Sequence, residues 1–169
     1  MLETFDFTGK VAIVTGGGTG LGREVARGLA DLGTDVAVAG RRPGPIEETA
    51  REIEASGRRS LAISTDVTDS TQVNNLIDRT ISELGQIDIL INNAGVAGAD
   101  DPSKAVWEIS DEDWRRGIDG DLTGSFYCAR AAGKHMVERG YGKIVNVSSG
   151  FGYGTMRGQV MYGVAKAGV

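Results

Sequence analysis

The sequence of 169 residues holds three prolines, one histidine and one cysteine, and each scarcity removes a class of answer. A lone thiol, Cys128, cannot close an internal disulfide or complete a CxxC pair, so a disulfide scaffold is excluded and a reducing compartment fits best. His135 is the only histidine, and neither it nor Cys128 has a complementary ligand set nearby in sequence. Both read as packing or surface residues, and no metal site is expected. No window reaches the uninterrupted apolar length of a spanning helix, and Met1–Lys10 lacks the basic stretch and apolar run of a signal peptide, so a soluble, cytoplasmic protein with no membrane partner is expected. Basic residues are outnumbered, 18 against 23 acidic ones for a net charge of −5. That balance offers no general attraction to a polyphosphate and argues against nucleic acid as a partner.

What the sequence has in excess is glycine, 26 residues, roughly twice ordinary usage and with no collagen-like repeat. The remaining composition, 40% hydrophobic and 24% charged, is that of a globular protein, and the length suits one domain over residues 1–169. Short apolar, β-branched runs predict five strands at Lys10–Thr15, Asp35–Gly40, Ser60–Thr65, Ile87–Ile91 and Lys143–Val147. Helical spacing lies between them at Leu21–Leu32, Ile46–Ser56 and Val73–Leu84, with one long helix from about Asp111 to Arg139. Pro45 falls where a first-turn proline is tolerated. Strands alternating with helices predict an α/β fold, a doubly wound parallel sheet covered on both faces.

The first strand runs into Thr15-Gly16-Gly17-Gly18-Thr19-Gly20-Leu21-Gly22, with a helix directly after. Glycines there remove side chains that would hold a backbone away from a bulky anion, and the first N–H groups of the helix point at it. A dinucleotide pyrophosphate is the natural occupant, the plain alternative being a tight turn; the strand before and helix after favour the dinucleotide. The second strand ends in Gly40-Arg41-Arg42, where such folds read the adenosine ribose. A carboxylate there would accept from the 2′-hydroxyl; guanidinium groups instead bind a 2′-phosphate, which favours NADP over NAD. Asp66, after the third strand, is placed to accept from an adenine amino group, although alone it reads sooner as a helix N-cap or turn residue.

On these residues the chain resembles the short-chain dehydrogenase/reductase family, in particular members like the 3-oxoacyl-carrier-protein reductases. TGGGTGLG at 15–22 is similar to the family's TGxxxGxG loop, Asp66-Val67 to its adenine-contacting pair, and Asn92-Asn93-Ala94-Gly95 to its NNAG motif. Ser149 lies 13 residues before Tyr162, which with Lys166 forms a YxxxK. The resemblance implies a cofactor site made of Gly16, Gly18, Thr19, Gly20, Leu21, Gly22, Arg41, Arg42, Asp66, Val67, Asn93, Ala94 and Gly95 together with Tyr162 and Lys166.

The chemistry explains the residue types. Tyr and Lys four apart share one helix face, so an ammonium beside the phenol favours its ionised form; an unassisted tyrosine, with a pKa of about 10, is a poor acid or base near neutrality. The resemblance implies that Tyr162 exchanges a proton with a carbonyl or alcohol oxygen as hydride moves to or from the nicotinamide. It further implies that Ser149 orients that oxygen and that Lys166 also holds the nicotinamide ribose. One tetrad position departs from the family: Asp121, seven residues after Trp114, stands where an asparagine is usual, at a local helix irregularity. Aspartate keeps an acceptor, loses the amide donor and adds a charge, so it is expected to slow the proton relay or shift its pH dependence. Gly117, Gly120 and Gly124 in the same helix either permit close packing or weaken it, at a cost of up to about 1 kcal/mol each relative to alanine.

Five strands match order 3-2-1-4-5, and the resemblance implies further strands and a substrate lid beyond residue 169, so a C-terminally truncated chain is expected. Loops 96–106 and 150–161 would line part of the substrate pocket. Two functions remain open at this point. One is an oxidoreductase acting between NADP(H) and a ketone or secondary alcohol, a homodimer or homotetramer at full length. The other is a dinucleotide-binding module that does no chemistry.

Overall fold

The computed structural model describes residues 5–95, 104–154 and 157–169. Five strands, β1 (Val11–Thr15), β2 (Asp35–Gly40), β3 (Ser60–Ser64), β4 (Ile89–Asn92) and β5 (Lys143–Asn146), pair in parallel in the order β3-β2-β1-β4-β5. The helices are α1 (Gly20–Asp31), α2 (Pro43–Ala55), α3 (Ser70–Leu84), α4 (Asp111–Ile118), α5 (Gly124–Arg139) and α6 (Val160–Gly168).

Successive strand residues point to opposite faces of a sheet, and here each face has its own core. Val11 and Ile13 of β1 join Ala37, Leu76, Leu90 and Cys128, under α3 and α5. Val14 instead joins Ala26, Val36, Val38, Ile46 and Ile53, under α1 and α2. Both faces of the central strands are therefore dry, which is why those strands read as unbroken apolar runs instead of alternating ones. Burial pushes the Cys128 thiol up to about 12, so it stays protonated as a packing residue.

The long helix expected from Asp111 to Arg139 is broken in register. Between α4 and α5 the backbone widens into one π turn over Asp119–Thr123, a feature that frequently marks functional positions in helices. Two of the helix's glycines serve close packing. A Cβ on Gly117 would stand 3.0 Å from Met161 Cβ, and one on Gly124 would stand 2.6 Å from Val67 Cγ2. The strand expected at Ile87–Ile91 begins instead at Ile89. The N–H of Ile87 donates to Nε2 of His135 on α5 at 3.3 Å, which gives the lone histidine a place against the approach to β4.

The N-terminal end of the sheet is clasped by buried acids. Asp88 is fully buried; its carboxylate accepts from the Val11 N–H at 2.9 Å and pairs with Arg139 at 3.3 Å. Asp35 accepts from Arg58 and from Arg59, each at 2.8 Å, and from the Arg59 N–H at 3.0 Å. Burial alone would raise the Asp35 carboxyl, but these donors outweigh it and hold the group below its ordinary range.

Candidate active site

At the opposite end of the sheet, the loop after β1 is stitched to the loop after β4 through Thr15. Its hydroxyl donates to the Ile91 carbonyl at 3.3 Å and accepts from the N–H groups of Asn93 at 3.1 Å and Ala94 at 3.0 Å, using its full hydrogen-bonding capacity. The Asn93 amide returns the contact, donating to the Thr15 carbonyl at 3.0 Å. Between these strands the backbone has no room for side chains. Gly16, at φ +65°, would carry a Cβ 3.0 Å from Ala94 Cα, and a Cβ on Gly22 would overlap the Gly16 carbonyl oxygen and the Asn93 amide. Gly20 also needs its glycine freedom, at φ +53°, to turn the chain into α1.

The turn opens a cleft of about 560 Å³. The walls include Gly16, Gly18, Thr19, Leu21 and Gly22 on one side, Arg41 and Arg42 at the end of β2, and Asp66 and Val67 after β3. Asn93, Ala94 and Gly95 close it from β4. Thr19 gives α1 no side-chain cap, and the first turn of α1 has no acidic residue. The helix therefore presents uncapped N–H groups where an anion is favoured. Arg41 and Arg42 are exposed, and their guanidinium groups give the far wall a positive edge. Asp66 is already committed to a turn, its carboxylate accepting from the Thr68 N–H at 3.0 Å and hydroxyl at 2.8 Å. Pyrophosphate and a phosphorylated ribose both suit this donor set.

The second half of the site is built where β5 ends. Ser149 follows the strand, and its Oγ accepts from the Phe151 N–H at 3.3 Å in the short turn Gly150–Gly152. Helix α6 carries Tyr162 and Lys166 one turn apart. The Lys166 ammonium donates to the Val147 carbonyl at 3.0 Å, lies 2.9 Å from Asp121 Oδ1, and sits 5.6 Å from the centre of the Tyr162 ring. Two contacts fasten the backbone of α6 to the segment after β5: the Ser148 hydroxyl donates to the Lys166 carbonyl at 2.7 Å, and Gly152 lies so close that a Cβ there would be 2.9 Å from the same oxygen. Phe151 meets the Tyr162 ring edge-on at 6.0 Å.

The two halves meet at Gly95. A Cβ on Gly95 would stand 2.5 Å from Asp121 Oδ1 and 3.6 Å from Lys166 Nζ, so the end of the β4 loop passes directly over that ion pair. The residues singled out from sequence thus fall into two adjoining groups, one on the cleft and one on α6 with the π turn, while Ser149 lies in the turn after β5 with its Oγ on the Phe151 N–H. Gly20 shapes the loop without lining the cleft. Of the expected pocket loops, residues 96–103 and 155–156 lie outside the described residues. Sequence reasoning missed Thr15, Ser148 and the Val147 carbonyl, whose roles depend on partners brought together by folding. A threonine ending a buried strand just before a glycine loop was the available signal for the first.

The short chain dehydrogenase family pattern matches residues 10–169. The chain is 40% identical over 163 residues to cis-4-hydroxycyclohexanecarboxylate dehydrogenase of Sinomonas cyclohexanicum, covering 96% of this chain and 64% of that protein. Among solved structures, a short-chain type dehydrogenase/reductase from Mycobacterium marinum superposes with a TM-score of 0.91 at 36% identity, covering 99% of this chain and 65% of that one. An NAD⁺-bound xylitol dehydrogenase superposes with a TM-score of 0.90 at 31% identity, covering 96% and 61% respectively. In each case the chain spans less than two thirds of its relative's length. Taken with the glycine cleft and the adjoining Tyr162–Lys166 pair, these matches show that the chain belongs to the short-chain dehydrogenase family.

Proposed function

We propose that residues 1–169 are the dinucleotide-binding domain, short of its C-terminal part, of a cytoplasmic oxidoreductase that interconverts a ketone and a secondary alcohol with NADP(H). The observation that carries this reading is the Lys166 ammonium held beside the Tyr162 ring, next to a glycine-walled cleft. In the cleft, Gly16, Gly18 and Gly22 allow close backbone approach, Gly20 shapes the loop, and Thr19, Leu21, Asp66, Val67, Asn93, Ala94 and Gly95 complete the wall. Arg41 and Arg42 would bind a ribose 2′-phosphate, which is the reason to prefer NADP; a relative solved with NAD⁺ keeps the broader NAD(P) description in view.

When bound, the nicotinamide would supply the hydride. Tyr162 would give its phenolic proton to the carbonyl oxygen on reduction and take it back in the oxidative direction. Ser149 hydrogen-bonds the same oxygen and orients it, and Lys166 favours the phenolate and holds the cofactor ribose. Family membership also supports assembly of the whole protein as a homodimer or homotetramer.

The test is oxidation of NADPH and of NADH by the whole protein across a panel of ketones. Tyr162→Phe is expected to lower kcat by about 10²- to 10⁴-fold. Replacing Arg41 and Arg42 with alanine is expected to weaken NADPH binding about tenfold or more and spare NADH. Dinucleotide binding without turnover on any ketone would instead support a non-catalytic binding module, a reading favoured by the carboxylate that already engages Lys166.

A further inference from the structure

In the proposed reaction two groups must reach one substrate oxygen, and they sit on separate pieces of chain: Ser149 in the turn after β5 and Tyr162 on α6. Phe151 touches both. Its N–H donates to Ser149 Oγ at 3.3 Å, and its ring meets the Tyr162 ring with centroids 6.0 Å apart and planes at 68°. That edge-to-face arrangement is the one the ring quadrupoles favour. The turn itself is tight, the N–H groups of Gly152 and Tyr153 donating to the carbonyls of Ser149 at 3.0 Å and Gly150 at 3.1 Å. Gly152 seats the turn on α6, where an added Cβ would stand 3.1 Å from Ala167 N, and just before the turn the Ser148 hydroxyl holds the Lys166 carbonyl. Tyr153 is fully exposed, which leaves Phe151 as the aromatic of this turn that packs on α6.

Resting on the assignment of Tyr162 as the proton donor, we propose that Phe151 is a positioning residue: it holds the Ser149 hydroxyl and the Tyr162 ring in the mutual geometry that lets both meet one carbonyl oxygen. A hydroxyl has one hydrogen to donate and two lone pairs. The Phe151 N–H occupies one lone pair of Ser149 Oγ, which leaves the hydroxyl hydrogen for the substrate. The ring contact acts on the other partner. Tyr162 is only partly buried, and a ring with an open side has more than one staggered orientation available; the Phe151 ring selects one. Proton transfer needs the phenol oxygen within hydrogen-bond reach of the carbonyl oxygen, and a misplacement of about 1 Å is enough to cost about 10²-fold in rate. Phe151 therefore bears on the chemical step and not on dinucleotide binding, and it lies outside the described walls of the dinucleotide cleft.

Phe151→Leu in the whole protein removes the ring with a modest change in volume, Phe151→Met serves as the second variant if the first does not fold, and Phe151→Tyr restores a ring. In reduction of the ketone panel, kcat is expected to fall up to about tenfold in the leucine variant, the factor that one aromatic pair contributes, and to recover in the tyrosine variant. The KM for dinucleotide is expected to stay unchanged. The solvent deuterium isotope effect on kcat is expected to rise, because proton delivery becomes the slower event. A lower unfolding midpoint with no rise in that isotope effect would reduce Phe151 to a structural role and overturn the proposal. A raised KM for the ketone at unchanged kcat would assign the ring to substrate contact and overturn it as well.

Crystal structures of the whole wild-type protein and its leucine variant need no turnover. The Tyr162 ring is expected in a single orientation in the wild type and in more than one in the variant; one unchanged orientation in both would overturn the proposal. A released Tyr162 ring in a protein that turns over no ketone would support the seating of Tyr162 by Phe151 while refuting the oxidoreductase reading.

Discussion

The two sides of the cleft are held by different forces. On the β1–β2 side every residue of β1 is buried, and Ile13, Val14, Val36 and Val38 are wholly inaccessible. On the β5 side every residue of the strand is exposed, with Ile144 at 40% and Val145 at 48%. The cause is topological: β1 has a parallel partner on each side and helices over both faces, whereas β5 pairs with β4 alone among the described residues. The glycine-loop side is therefore fixed by burial and close-packed glycines. The α6 side is fixed by a handful of polar contacts: Lys166 to Val147 and Asp121, and Ser148 to the end of α6.

That contrast can be broken by paired substitutions. Leu76→Ala, in the core between α3 and the sheet, is expected to cost about 2–5 kcal/mol in denaturant unfolding, because a buried leucine leaves a cavity. Val145→Ala on β5 is expected to change stability by no more than about 0.5 kcal/mol in the same chain; a loss comparable to that of Leu76→Ala would erase the distinction. A smaller but more local effect is expected of Gly22→Ala. Its Cβ meets the Gly16 carbonyl and the Asn93 amide, so about 1–3 kcal/mol of overpacking should appear, with a weaker dinucleotide affinity by fluorescence titration.

The smallest effect is a pH dependence at the far end of the sheet. The Asp35 carboxyl is held below its ordinary range, its arginine and backbone donors outweighing burial. A group depressed on folding contributes stability fully above its unfolded pKa of about 3.9, and that contribution disappears as pH falls through the lower folded value. Asp35→Asn should therefore flatten the acid side of a stability-versus-pH curve and lower the plateau near neutrality. An unchanged acid limb would show that the Arg58–Arg59 clasp does not couple to folding.

The paired regions also explain which features could be read in advance. Strands β1 and β2 were legible because two-sided burial writes itself as continuous β-branched runs, and the glycine loop was legible because close backbone approach excludes every other residue type. β5 was legible as a strand from the apolar, β-branched run at Lys143–Val147. The break in the Asp111–Arg139 helix was visible only as three glycines and an aspartate, since a π turn leaves no periodic signature in five residues. Thr15 and Ser148 were missed for a related reason. A hydroxyl bonding to Ile91 or to Lys166 is specified by a partner up to 76 residues away, and nothing in the local pattern distinguishes it from any other threonine or serine.

By itself, the sequence determined the alternation of strands and helices, the glycines of the loop after β1, the arginines at the end of β2 and the four-residue spacing of Tyr162 and Lys166. Each is a local pattern, set by side-chain period or by sterics within a few residues. Tertiary structure alone decided that Asp121 meets Lys166, that Gly95 bridges the cleft to that pair, and that β5 stands exposed while β1 is sealed. Those outcomes depend on the order of strands in the sheet and on one widened helical turn, which bring together groups that the chain keeps far apart.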